Sequence, residues 1–216
     1  MTNFNDRGKG LAMSSITRIK CGNGNCFLVC GDGGSILVDT SRFKFRDKIL
    51  AACGSQNVRL IVLTHGHVDH VQNAAFFSER LNAPIAMHEA DYTLTKNNMV
   101  QPMAAHKPLG KLILALSRKS FEKDEIPAFE PSFYLREGNS LEAYGVEAET
   151  LELPGHTKGS IGLRVGNDLI AGDAMMNFFR PSDSLLYGNE EMAKKSAVRI
   201  RGYGGTIYFG HGRPDG

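Results

Sequence analysis

Apolar residues fall first in short alternating or continuous runs, and only later at helical spacing. Runs at 16–20, 26–30 and 35–39 predict three strands, and the Asp32-Gly33-Gly34 turn supplies residues tolerant of positive φ, as a tight hairpin requires. The opening is therefore antiparallel. Residues 46–53 suit a short helix. Val58-Arg59-Leu60-Ile61-Val62-Leu63 is a nearly unbroken β-branched and leucine run, the pattern of a strand covered on both faces. A helix over 71–81 and a covered strand at 84–88 follow, then strands at 141–144, 147–153, 160–165 and 168–171, a helix at 190–201 and a last strand at 206–209. Strand alternating with helix predicts a layered α/β domain.

Residues 91–135 interrupt this pattern with Pro102, Pro108, Pro127 and Pro131. Leu109, Leu112, Ile113 and Leu116 fall at i, i+3, i+4 and i+7 with Pro108 suited to a first turn, so one amphipathic helix is expected near 109–121. A loop this long without structure runs against the short connections of compact domains, so the segment reads as a helical insertion. It would serve as a cap over a site or as a homodimer contact. With no solenoid-length repeat and no low-complexity linker, residues 1–216 suit one domain.

A formal net charge of +2 is too small to imply a polyanionic partner, so no nucleic acid is expected. Cys21, Cys26, Cys30 and Cys53 lack the paired Cys-x-x-Cys spacing of a structural zinc site and read as buried, reduced thiols. Residues 1–15 contain no apolar run of signal-peptide length, and no segment approaches the ~20 apolar residues that span a bilayer. The expectation is a cytoplasmic protein without a membrane partner.

The strongest chemical signal is Thr64-His65-Gly66-His67-Val68-Asp69-His70, directly after the 58–63 strand. In an extended segment i, i+2 and i+4 point the same way, so His65, His67 and Asp69 can converge, with His70 added as the chain turns into a helix. Imidazole and carboxylate are the ligand types of catalytic zinc. Pro154-Gly155-His156-Thr157, Ala171-Gly172-Asp173 and Phe209-Gly210-His211-Gly212 repeat the arrangement, each placing a donor just past a strand beside glycine. Several strand ends then feed one cluster from a rigid scaffold. Thr157 and Ser160 would brace the His156 turn. His88 and His106 have no such setting and read as structural or surface residues, while Tyr92, Tyr187 and Arg180 are weaker substrate-contact candidates.

His-x-His-x-Asp-His, Gly-His-Thr, Gly-Asp and Gly-His-Gly, in this order, resemble the metallo-β-lactamase superfamily. Asn25 and Ile36-Leu37-Val38-Asp39-Thr40 extend the likeness to most of the chain outside 91–135. The resemblance implies a four-layer αββα sandwich with two metals at one edge between facing sheets. It implies His65, His67 and His156 as ligands of the first metal, Asp69, His70 and His211 of the second, and Asp173 as the bridge. The β-lactamases proper carry Cys or Ser at the Asp173 position, so the chain looks more like the glyoxalase II, lactonase and phosphodiesterase branches. Diiron flavoproteins usually carry Glu where His67 stands. Glyoxalase II continues beyond its last ligand into a helical region that helps bind glutathione, whereas this sequence ends five residues after His211. Ser41 stands where the family usually has Gly.

The expected activity is hydrolysis of a small acyl substrate, a thioester, lactone or similar compound. Two divalent ions, zinc first with iron or manganese as alternatives, would share a water whose pKa falls from 15.7 to near 7 and present it as hydroxide. Asp69 would orient that hydroxide and receive its proton, a role implied by the resemblance. A phosphodiesterase or nuclease with the same ligands, and a mononuclear iron enzyme resembling persulfide dioxygenases, are the alternatives.

Overall fold

The computed structural model describes residues 14–216, so the reading of residues 1–15 as free of a signal segment lies almost wholly outside the described residues. Strands β1 (Ser15–Cys21), β2 (Gly24–Gly31) and β3 (Gly34–Val38) form the antiparallel opening, with Cys21 opposite Gly24 and Gly31 opposite Gly34 across two-residue turns. Parallel pairing then needs crossovers. Helix α1 (Arg46–Cys53) leads to β4 (Val58–Val62), and α2 (Val68–Val71) and α3 (Ala74–Leu81) lead to β5 (Ile85–Met87). Helices α4 (Tyr92–Lys96) and α5 (Pro108–Lys123) precede β6 (Phe133–Tyr134), which closes a six-stranded sheet in the order β1-β2-β3-β4-β5-β6.

The second sheet holds β7 (Ala148–Glu152), β8 (Ile161–Val165) and β9 (Asp168–Gly172). A short hairpin of β10 (Met175–Met176) and β11 (Ser182–Asp183) follows, then α6 (Glu190–Arg201) and β12 (Ile207–Phe209), which pairs in parallel with β9. Its order is β12-β9-β8-β7.

Period-two alternation builds the layers. Leu60 and Val62 of β4 join Phe27, Val29, Ile36 and Val38 in a core shared with Leu163 and Ile170 of the second sheet. Ile61 and Leu63 point the other way, onto Ile49 of α1 and Phe77 of α3. Leu169 and Ala171 of β9 likewise turn outward, onto Ala197 and Ile200 of α6. The layers run helix, sheet, sheet, helix, which is the αββα sandwich.

Three expectations change in detail. Residues 142–144 form a 3-10 turn instead of a strand, closed by Tyr144 N donating to Leu141 O at 2.9 Å and by Gly145 at φ 86°. The helix expected over 71–81 begins at Val68 and breaks after Val71, so Asp69 and His70 sit on the first turn of α2 and the extended-strand argument holds only for His65 and His67. Two-residue strands β6, β10 and β11 are too short to leave a periodic signal.

Asn25 couples the two sheets at the end where the candidate donors gather. Its amide donates to the carbonyls of Phe209 at 2.7 Å and Gly212 at 3.0 Å and accepts from Arg18 Nε at 2.8 Å. Asn25→Ala leaves these buried partners unpaired, so it is expected to lower stability by about 1–3 kcal/mol. A fall in the urea midpoint at unchanged slope checks this.

Candidate metal centre

Four chain segments meet at one edge of the sandwich. The 64–67 turn leaves β4 and runs into α2. Gly66 lets α4 approach closely, since a Cβ there would lie 2.6 Å from both Asp91 O and Leu94 Cβ. The 154–160 turn leaves β7, Asp173 follows β9 directly, and His211 follows β12. Gly210 is required beside Asp173, because a Cβ on it would fall 2.1 Å from Asp173 Oδ1.

The seven predicted donors converge. His65, His67 and His156 form one group whose ligand-type atoms all lie within 4.8 Å of one another, and Asp69, His70 and His211 form another. Asp173 stands between them: Oδ1 is 3.5 Å from His70 Nε2, and Oδ2 is 3.7 Å from His156 Nε2 and 3.4 Å from His211 Nε2. His67 Nδ1 lies 3.1 Å from His156 Nε2, and His211 Nε2 lies 3.4 Å from Asp69 Oδ2.

Hydrogen bonds on the outer side of each ring decide which nitrogen faces inward. His156 Nδ1 donates to Leu186 O at 2.8 Å, His211 Nδ1 to Asn23 O at 3.1 Å and His70 Nδ1 to Asp39 Oδ2 at 2.8 Å. Nδ1 of His65 lies 3.1 Å from Thr64 Oγ1, which itself donates to Asp39 Oδ2 at 2.8 Å. His67 is held differently, its ring stacking on Phe121 of α5 at 4.7 Å between centroids and 18° between planes. A second buried carboxylate, Asp91, binds two donor loops together. It accepts from Gly66 N at 3.1 Å and Thr157 Oγ1 at 2.6 Å through Oδ2, and from Gly159 N at 2.8 Å through Oδ1.

The donor set fits cations. His65 Nε2, His67 Nε2, His70 Nε2 and Asp173 Oδ1 are buried without a hydrogen-bond partner, a state costing about 1–3 kcal/mol per atom unless another ligand satisfies it. Burial, reinforced by the neighbouring imidazoles, holds His65 well below the usual imidazole range and His67 at about 3, keeping their lone pairs free. Burial also lowers His156, against the pull of Asp173. In the other group burial is overcome. Asp173 and Asp39 raise His70 to about 9, and Asp173 and Asp69 raise His211 well above its normal value. Asp69 and Asp173 stay below the ordinary carboxylate range despite burial, held there by His211 and His70. Protons on two imidazoles thus balance two carboxylates where a cation would.

Thr157 and Ser160 do brace the His156 turn, their hydroxyls 2.6 Å apart. His88 instead lies 3.2 Å from Glu152, and His106 3.2 Å from Glu190, both away from the cluster. Tyr92, Tyr187 and Arg180 do not line the cavity above the donors. Arg42, Asp91 and Phe121 were not singled out from sequence. No local motif surrounds them, and each acts through a partner distant in the chain. All four cysteines are free, and no described helix is long and apolar enough to cross a membrane.

An αββα sandwich carrying imidazole and carboxylate donors at its edge is the arrangement of a metal-dependent enzyme. The chain belongs to the metallo-β-lactamase superfamily, whose model matches residues 19–212. It is 27% identical over 157 residues to the probable metallo-hydrolase MJ0888 of Methanocaldococcus jannaschii, covering 71% of this chain and 68% of that protein. It is 32% identical over 108 residues to the hydroxyacylglutathione hydrolase GloC of Haemophilus influenzae, covering 49% of this chain and 43% of GloC. Among solved structures, TTHA1623 in a di-iron-bound form superposes with a TM-score of 0.68 at 24% identity, covering 93% of each chain.

Two predictions follow from the electrostatics and the stacking. Zinc added to metal-free protein at pH 7.5 is expected to release protons, because the neighbouring carboxylates raise His70 and His211 above the usual imidazole range and binding needs their lone pairs. Release should fall as pH rises past about 9, where His70 is already neutral. A pH indicator in weak buffer reads this, and no release would remove both residues from the ligand set. Phe121→Ala frees the His67 ring and should weaken binding of one metal by about 10–100-fold, measured by chelator competition.

Proposed function

We propose that the chain hydrolyses a small acyl compound, a thioester, lactone or related ester, with two divalent ions. His65, His67 and His156 would hold one ion, Asp69, His70 and His211 would hold the other, and Asp173 would stand between them. The observation that carries the two-ion part of this reading is the position of Asp173, whose Oδ2 lies 3.7 Å from His156 Nε2 of one group and 3.4 Å from His211 Nε2 of the other, while its Oδ1 lies 3.5 Å from His70 Nε2. Zinc suits the nitrogen and oxygen donors; iron, which the TTHA1623 structure holds, is the alternative.

When bound, such a pair supplies a hydroxide nucleophile at neutral pH and a Lewis acid for the carbonyl. The chain does the rest. Asp69 lines the cavity and is partly open to it, so its carboxylate can orient water and take up a proton. Asp39 and Asp91 hold the 64–70 and 154–160 loops before substrate arrives, so less reorganisation is left for the reaction. The cavity is about 580 Å³, of the size that takes small molecules, and a net charge of +2 offers no field for a nucleic acid. Its partner is therefore a small-molecule substrate. The acyl reading agrees with the hydroxyacylglutathione in the name of GloC. A cytoplasmic setting suits four unpaired cysteines.

Elemental analysis should find about two metals per chain, and a panel of thioesters, lactones, phosphodiesters, β-lactams and persulfides should show turnover of the acyl compounds. His156→Ala should lose one metal and reduce turnover by more than the ~10–100-fold typical of an outer-shell change. A single iron per chain, or wild-type rates from His156→Ala, would refute the dinuclear reading.

A further inference from the structure

Helix α5 spans sixteen residues, about 24 Å at 1.5 Å per residue, yet Gly110 is its only buried residue. Its apolar side chains are thus not consumed by the core. Polar and local contacts hold it in place instead. Arg42 pairs with Asp124 just past its C-terminal end and donates to Ser120 Oγ at 2.7 Å, and Phe121 stacks on His67. Leu109, Ile113 and Leu116, at i, i+4 and i+7, form one stripe lining the same cavity as the donor cluster. Leu116 remains 61% exposed there. Leu112 is 60% exposed but does not line the cavity. Phe178 and Phe179, from the β10–β11 connection, also line it, and Phe179 is 94% exposed.

An exposed apolar set of this kind marks a binding surface, and its continuity with the donors identifies the occupant as the substrate itself. An acetyl-sized or polar acyl group would leave Leu109, Ile113, Leu116 and Phe179 facing water. An alkyl chain would cover them. We propose that the site selects acyl compounds whose acyl group is an apolar alkyl chain of medium length, seated along the α5 stripe and against Phe178 and Phe179. The reacting group rests on the acyl-hydrolase reading above, but the groove binds a chain whether or not turnover occurs.

Calorimetric titration of the metal-quantified protein with butyrate, hexanoate and octanoate tests the groove directly. Full burial of a methylene strengthens binding about fourfold, so even partial burial should make octanoate at least about tenfold tighter than butyrate. Leu116→Asp is expected to abolish this gain and Leu112→Asp to keep it. Circular dichroism and metal content on the same samples exclude misfolding, and Leu116→Ser replaces the aspartate variant if that one does not fold. Octanoyl thioester should likewise be preferred over butyryl thioester in kcat/KM. If octanoate binds no tighter than butyrate, the groove is overturned even when thioesters are hydrolysed. If the chain-length gain is present but no acyl compound turns over, the acyl-hydrolase reading falls and the alkyl groove stands. If both leucine variants keep wild-type binding while converting a dimer to monomers, the α5 face is a contact between copies and the proposal is wrong.

Discussion

Two buried carboxylates, Asp39 and Asp91, set the geometry on which the rest depends. Both are fully buried, and neither has a Lys or Arg ion-pair partner among the described residues. A carboxylate in that position is destabilising by several kcal/mol unless its oxygens are hydrogen-bonded, so the surrounding loops have little freedom. Asp39 is satisfied by Thr64 N at 2.8 Å, by the Thr64 hydroxyl and by His70 Nδ1. Asp91 is satisfied by the backbone of Gly66 and Gly159, by Thr157 and by Gln101. Satisfying these two acids places two of the four donor loops, the one carrying His65, His67, Asp69 and His70 and the one carrying His156. Asp39 itself sits at φ 60°, a region Asp tolerates better than most residues, and such a conformation persists where the surroundings over-determine it.

The donor loops and the cap are stabilised by different forces. The 64–70 loop grows from β4, where Leu60, Ile61 and Val62 are all at zero exposure. Helix α5 has no such anchor and depends on Arg42, Asp124, Ser120 and Phe121. The candidate donors and the proposed alkyl groove therefore lie on separate parts of the chain, so substitutions on the α5 stripe need not disturb the donor cluster. Phe121 is the exception, because it touches a donor and the cavity at once.

The sandwich and the seven candidate donors that it brings together were legible in the sequence because both leave local signals. The nearly unbroken apolar run along 58–63 reports burial on both faces, and histidine or aspartate beside glycine after a strand points to a candidate donor at a strand end. The extended reading of His65, His67 and Asp69 held in part. His65 and His67 fall in one group, but α2 begins at Val68 and carries Asp69 round to the second group with His70, which enters a helix as expected. Periodicity could not show this, because a four-residue helix completes barely one turn.

Tertiary structure alone decided the roles of Asp39, Asp91, Arg42 and Phe121. Asp91 binds groups 25 and 66 residues away, and Arg42 reaches a partner 82 residues away. Tertiary structure also separated Leu116, inside the cavity, from Leu112, outside it, although helical spacing treats the two alike. Residue type and spacing determine what a segment can become and which chemistry it carries. Which buried acid meets which loop, and which edge of an amphipathic helix meets the cavity, depends on packing between distant segments, where the energy of an unsatisfied carboxylate or an uncovered leucine is settled.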